Sequence, residues 1–270
     1  MISSPVGMRC PECAGDRQQV RQGPVGGSAW EQAPATFVLI GINVAIFVGQ
    51  LAAGGGATSF DGGGSLFTEG ALCGNAVGSG GSCGFPPQAT DGGEWWRILG
   101  AGFLHGGFIH LALNMFVLFI LGRLIEPAIG TRRMLMIYFV SLIAGSLGAL
   151  LLSDPRQFTV GASGAIYGLF AATLLIARDR GFDQVVMQLG FWLVLNLVLT
   201  FSVSGISIGG HLGGLAGGAV AALVVLAAER RQGRPSGATM ATEMATLGTL
   251  GLACFAAAVL VAGSGIGTAL

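Results

Sequence analysis

Apolar residues in this chain gather into runs of about 20, the length a helix needs to cross the hydrocarbon core of a bilayer. Seven such runs predict seven transmembrane helices. They extend from about Pro34 to Ala52, His105 to Ile125, Arg133 to Leu152, Gly161 to Ala177, Val185 to Phe201, Ile208 to Ala228 and Ala245 to Ala262. The fourth and fifth are short and carry polar residues, which predicts that they pack against other helices rather than lipid. The first 30 residues have no apolar core and contain three Arg, so no cleavable signal peptide is expected there.

The basic residues between the runs fall almost entirely on one side. Arg9, Arg17, Arg21, Arg123, Arg132, Arg133, Arg178, Arg180, Arg230, Arg231 and Arg234 share a side, and only Arg97 and Arg156 lie on the other. Cytoplasmic connections carry the excess of positive charge. The expected topology therefore places the N-terminus in the cytoplasm and the C-terminus outside; the expected location is a plasma (bacterial inner) membrane. The segments then read as a cytoplasmic tail over 1–33, a six-span core over 34–228, and a cytoplasmic linker with a seventh helix over 229–270.

Composition agrees and removes other classes. Charged residues are 10% of the 270, against about 25% in a soluble domain, while 52% are hydrophobic. So few charges cannot cover a soluble surface, and a disordered chain would be more polar. The net charge of zero argues against nucleic acid as a partner. The 48 glycines suit close helix–helix approach.

The first loop, roughly 53–104, is much longer than the others, and an insertion of that size is usually functional. Its glycine-rich first half (Gly54–Gly56, Gly62–Gly64, Gly78–Gly81) is expected to be mobile. Its second half carries Trp95, Trp96 and Arg97, residue types that belong at the membrane interface. Cys73 and Cys83 lie in this external loop and close a short ring, which makes them a disulfide pair candidate. Cys254, inside the last span, reads as a small hydrophobe. Cys10-Pro-Glu-Cys13 is half of a four-ligand zinc site with no third or fourth ligand in the tail. It reads as an incomplete knuckle, the sharper alternative being zinc completed by a second chain.

Polar groups at membrane depth are costly and mark chemistry. All three histidines, His105, His110 and His211, sit in or at the mouth of a span, together with Asn114, Ser163 and Asn196. His110 and Asn114 are four apart and share a helix face, as do Ser163 and Tyr167. His105 and His110, five apart, are about 140° apart on a regular helix and poorly placed to share a metal. Gly161 and Gly164 strip bulk from around Ser163. Beside His211 run two glycine series, Gly210, Gly214 and Gly218, and Gly209, Gly213 and Gly217, which let neighbouring helices approach closely. A helix carrying Ser163 packed there would bring its hydroxyl to the His211 imidazole. A hydroxyl, a base and oxyanion donors are what nucleophilic catalysis needs, and the His110/Asn114 face offers donors. No carboxylate is near, so orienting His211 falls to another group, with Tyr167 able to stack on its ring. The sequence GASGA lacks the G-x-S-x-G pattern of the soluble hydrolase elbow. Asn196 reads as helix–helix glue.

In combination these residues resemble the rhomboid intramembrane serine proteases. The resemblance covers about 195 residues, from Pro34 to Ala228. It rests on Trp96-Arg97, HGGFIHLALN from His105 to Asn114, Glu126 closing the second span, Gly161-Ala162-Ser163-Gly164 with Tyr167, and His211 heading HLGGLAGG. It implies an all-α, six-helix rhomboid bundle with one additional C-terminal helix. It implies Ser163 as nucleophile and His211 as general base, with Tyr167 packed on the His211 ring. His110, Asn114 and the Ser163 N–H would form the oxyanion hole. His105 would close the site near the loop and help hold water. Arg97 and Glu126 would be structural ties, Arg97 within the first loop and Glu126 hydrogen-bonding that loop from the second helix. No cofactor is implied. The implied partners are the lipid bilayer and single-span membrane protein substrates, and a homo-oligomer is left open. The long glycine-rich first loop departs from the family pattern. A non-proteolytic rhomboid-like binding or chaperone-like protein is the alternative, although such proteins typically lack the serine or the histidine. A transporter would need polar residues spread along a pathway, and a metalloprotease would need H-E-x-x-H, which is absent.

Overall fold

The computed structural model describes residues 2–4, 7–9, 28–57, 63–84, 88–203, 205–231 and 237–264, with the backbone alone for 2–4, 7–9, 88–90, 231 and 237–239. Cys10 and Cys13 lie outside the described residues. Seven long helices follow one another: α1 (Pro34–Ala52), α2 (Phe108–Ile129), α3 (Thr131–Leu152), α4 (Ser163–Asp179), α5 (Asp183–Ser202), α6 (Ile208–Arg231) and α7 (Gly237–Ser264). Six of them are long and apolar enough to cross a membrane. The remaining one, α4, has 17 residues and is enclosed by α2, α3, α5 and α6. The chain is thus an all-α, multi-pass membrane protein.

Two glycine series decide how the centre packs. A Cβ at Gly214 would overlap the Gly164 carbonyl, and one at Gly218 would overlap the Gly168 carbonyl, both on α4. A Cβ at Gly209 or Gly213 would overlap the Gly148 or Ala144 carbonyl, both on α3. One glycine face of α6 therefore meets α4 and the other meets α3. Backbones this close gain dispersion energy that larger residues would forbid. Around this centre α1 packs on α2, α5 on α4 and α7 on α3. The enclosed packing expected of the fourth span holds, but that expected of the fifth does not: α5 has 20 residues, only Leu189 and Thr200 of it are buried, and it is the most loosely held of the seven.

At the arginine-rich end, Arg133 of α3 bonds Glu243 of α7 and Glu229 of α6, each at 2.7 Å, and Arg180 also reaches Glu229. This clasp anchors the seventh helix to the core, and Trp95 meeting the Phe255 ring holds its other end. Glu243 and Arg133 are both buried, so each charge depends on the other being present.

The structure corrects two expectations about the first loop and its ties. The segment around Gly78–Gly81 is folded. Short helices at Ser65–Gly70 and Gly74–Val77 and a hairpin of Gly81–Cys83 with Gln88–Thr90 occupy it. Cys73 and Cys83 are joined by a disulfide, and Leu72 exchanges backbone hydrogen bonds with Thr159 in the loop before α4. Arg97 works inside this loop, pairing with Glu94 and donating to the Thr68 and Ala71 carbonyls at 2.6 and 2.8 Å.

Among the described residues, the hydrogen-bond partners of Glu126 lie outside the loop. Glu126 lies sixteen residues beyond His110 along α2, about 24 Å away at 1.5 Å per residue. Its carboxylate instead accepts from the Ala35 and Thr36 amides, each at 2.9 Å, and from the Thr36 and Thr131 hydroxyls. The physical reason is the start of α1. Pro34 opens that helix with no side-chain cap, and a buried helix N-terminus must find an acceptor for its unpaired N–H groups. A buried carboxylate at the end of α2 supplies it.

Candidate active site

The starts of α2, α4 and α6 lie together at the end of the bundle that bears the first loop, and each brings polar side chains to one cluster. Ser163 is the first residue of α4. The residue before the helix, Ala162, has no side-chain acceptor for the first-turn amides, so the Ser163 N–H points out of an uncapped, electropositive helix end. Gly161, at φ +122°, turns the chain into that position in a conformation that a larger residue rarely adopts.

His211 stands one turn into α6, buried, with Nε2 2.8 Å from Ser163 Oγ. The Tyr167 ring lies flat against the imidazole, centroids 4.1 Å apart and planes 17° apart. The glycine contacts between α4 and α6 set this distance. Gly164 follows Ser163 directly, Gly214 lies three residues beyond His211, and these two glycines form the crossing point.

His110 approaches from α2. Its Nδ1 accepts the Gly106 N–H at 3.3 Å, which leaves the proton of the neutral ring on Nε2 as a donor. That Nε2 faces the gap beside the serine: a Cβ on Gly161 would sit 2.8 Å from it and 3.7 Å from Ser163 Oγ. Asn114, one turn further, spends one amide hydrogen on the His110 carbonyl at 2.8 Å and keeps a second.

His105 is not on a membrane helix, because the chain turns through Gly106 and Gly107 and α2 begins at Phe108. The angular separation expected of a continuous helix therefore does not apply, and the His105 and His110 rings meet edge to face at 5.2 Å. His105 is fully buried and held by its backbone, whose N–H and carbonyl both bond the Gln50 side chain of α1 at 3.0 Å. Among the described residues no group of three or more His, Cys, Asp or Glu side chains is arranged to hold a metal.

Sequence reasoning missed Thr200. Its hydroxyl lies 2.8 Å from His211 Nδ1, 2.8 Å from the Tyr167 hydroxyl and 2.8 Å from the Asn196 carbonyl. A signal was present: Thr200 is four residues after Asn196, on the same helix face. Asn196 itself is not glue between helices, since its side chain donates to the Trp192 carbonyl of its own helix.

Comparison with known proteins adds the relatives. The family model described as the rhomboid domain matches residues 92–228. The chain is 38% identical over 138 residues to the rhomboid protease GluP of Bacillus subtilis (strain 168), covering 48% of this chain and 26% of that protein. It is 34% identical over 131 residues to the putative rhomboid protease YdcA of the same organism, covering 47% and 65%. It is also 36% identical over 145 residues to RHOMBOID-like protein 5 of Arabidopsis thaliana, covering 52% and 47%. The chain spans less than two thirds of the length of each of these relatives.

Proposed function

The chain belongs to the rhomboid family, and on that premise we propose that it is an intramembrane serine endopeptidase in which Ser163 and His211 form the catalytic dyad. The observation that carries this reading is the 2.8 Å contact between Ser163 Oγ and His211 Nε2 at the loop-bearing end of a membrane bundle.

The chemistry follows from the protons. His211 Nε2 takes the hydroxyl proton as Ser163 Oγ attacks the scissile carbonyl carbon, and the carbonyl oxygen becomes an oxyanion. The gap beside Gly161 is where that oxygen settles. His110 Nε2–H, the second Asn114 amide hydrogen and the Ser163 N–H are the donors this reading assigns to it, and donors placed in advance are worth most in a site of low dielectric. The imidazolium then gives its proton to the leaving amine nitrogen. Water, deprotonated by the same imidazole, hydrolyses the acyl-serine and restores the site.

The substrates are single-span membrane proteins, cut near the outer face of the membrane. A peptide bond there must leave its helix before a nucleophile can reach its carbonyl. The proteolytic core covers 34–228, with the tail 1–33 and the seventh-helix segment 229–270 flanking it. The arginine asymmetry orients the bundle with its N-terminus in the cytoplasm and the dyad toward the outside. A reporter fused after Leu270 should be active only outside the cytoplasm. Activity confined to the cytoplasm would reverse the orientation.

A serine-directed fluorophosphonate probe tests the dyad directly. It should label the intact chain at Ser163, and labelling should vanish in Ser163→Ala and fall sharply in His211→Ala. An intact chain that takes up no probe would remove the nucleophile from this account.

A further inference from the structure

We propose that Thr200 is a positioning residue that fixes the tautomer of His211, doing with a neutral hydroxyl what a carboxylate does in a catalytic triad. This rests on the reading of His211 as the base.

A threonine hydroxyl has one hydrogen and two lone pairs. Thr200 Oγ1 has three oxygen or nitrogen neighbours, all at 2.8 Å. One of them, the Asn196 carbonyl oxygen, carries no proton. At 2.8 Å two bare oxygens would repel, so the Thr200 hydrogen lies between them. That leaves Oγ1 as an acceptor toward its other two neighbours, and each must donate to it. The Tyr167 hydroxyl donates its hydrogen, and His211 donates from Nδ1. An imidazole protonated at Nδ1 and neutral overall is bare at Nε2, the nitrogen that must receive the Ser163 proton. The opposite tautomer would carry a hydrogen on Nε2 and could not act as base.

The same set of bonds persists through the reaction. Once Nε2 has taken the serine proton, the Nδ1–H···Oγ1 bond has a charged donor and strengthens. The Tyr167 hydroxyl bond also pins the phenol ring that stacks on the imidazole, so Thr200 restrains the His211 ring by its edge and, through Tyr167, by its face. Thr200 is one of two buried residues on α5. The helix that is otherwise least attached to the bundle therefore reaches the reaction centre through this side chain.

The test uses the full chain in detergent, labelled with 15N-histidine. Only three histidines are present, so their ring signals can be assigned by comparison with His105→Gln and His110→Gln. His211 in the intact protein should carry its hydrogen on Nδ1. Thr200→Val, equal in shape but without the hydroxyl, should move His211 toward the Nε2–H form and lower kcat about tenfold, roughly the value of one orienting hydrogen bond, with KM unchanged. Thr200→Ser should retain the Nδ1–H tautomer and keep kcat within about threefold of the intact chain, since the bond type is unchanged. A purely packing role would instead lower yield or stability and leave the tautomer as it was. His211 found as the Nε2–H form in the intact chain would overturn the proposal without requiring any variant. A Thr200→Val protein with unchanged kcat would also overturn it. Failure of the dyad reading looks different: the Ser163→Ala protein would then cleave as well as the intact chain, whatever the tautomer of His211.

Discussion

Replacing Ser163 by Ala, or His211 by Ala, is expected to abolish peptide-bond cleavage while leaving yield and detergent stability unchanged. Without the imidazole the hydroxyl is barely nucleophilic at neutral pH, and without the hydroxyl the imidazole has no nucleophile to activate. In a soluble serine protease the loss of either partner costs roughly 10⁶ in kcat, and the double change costs little more, because the two act as a unit. The double variant here should therefore be no worse than either single one. His110→Ala and Asn114→Ala should retain activity, each reduced by roughly 10²–10³, since the remaining donors still meet the oxyanion. The sign of the pH dependence is also set. Only the neutral His211 imidazole can accept the serine proton, so the rate should rise with pH through its titration and then level off. Turnover of one reporter substrate by the four single variants and the double variant decides the matter. An active His211→Ala would move the search for the base to His105 or His110.

Gly214→Leu should act through the fold. A Cβ at this position overlaps the Gly164 carbonyl of α4, and backbone cannot rotate away as a side chain can. Overpacking a well-filled core costs about 1–3 kcal/mol, and a clash with backbone at a helix crossing belongs at or above the top of that range. The same displacement would separate Ser163 from His211, because Gly164 follows Ser163 directly and Gly214 lies one helical turn beyond His211. A shift of about 1 Å suffices to lose on the order of 10²-fold in rate. Stability and activity should thus fall together, in contrast to Ser163→Ala. Gly190→Ala on α5 is the control. No atom lies within 4 Å of a Cβ there, and removing a helical glycine is worth about 0.5–1 kcal/mol in the opposite direction. Thermal unfolding of the two variants in the same detergent measures both effects.

The parts of this molecule legible in the sequence are those that depend on one helix at a time. Runs of apolar residues bracketed by arginine locate the seven helices, because a bilayer fixes their length and charge fixes their ends. The two glycine series of α6 announce that it has two close neighbours, and the structure assigns one series to each of α4 and α3. Spacing does not show which hydroxyl reaches His211. Ser163 is 48 residues away; the glycine series allow a helix carrying it to pack there, and the family resemblance implies the pair.

Side chains whose partners lie on a distant helix are poorly legible in the sequence. Glu126 reads as a tie to the first loop, but its acceptors are needed at the uncapped start of α1. Arg133 reads as one more cytoplasmic charge and is the centre of the α3–α6–α7 clasp. Thr200 shares a face with Asn196 in an otherwise apolar helix, but its partners Tyr167 and His211 lie on α4 and α6 and are not legible from that spacing. The loop near Gly78 reads as flexible from its glycines, although the Cys73–Cys83 pair is legible in the same loop; the pairing of Leu72 with Thr159, 87 residues away, is not visible in composition.

The most direct test of the central claim is cleavage of a model single-span membrane protein reconstituted with this chain in liposomes. The intact chain should cut it at one bond near the outer face of the bilayer, and Ser163→Ala at equal protein content should leave it whole. Cleavage by Ser163→Ala at the rate of the intact chain would contradict the account.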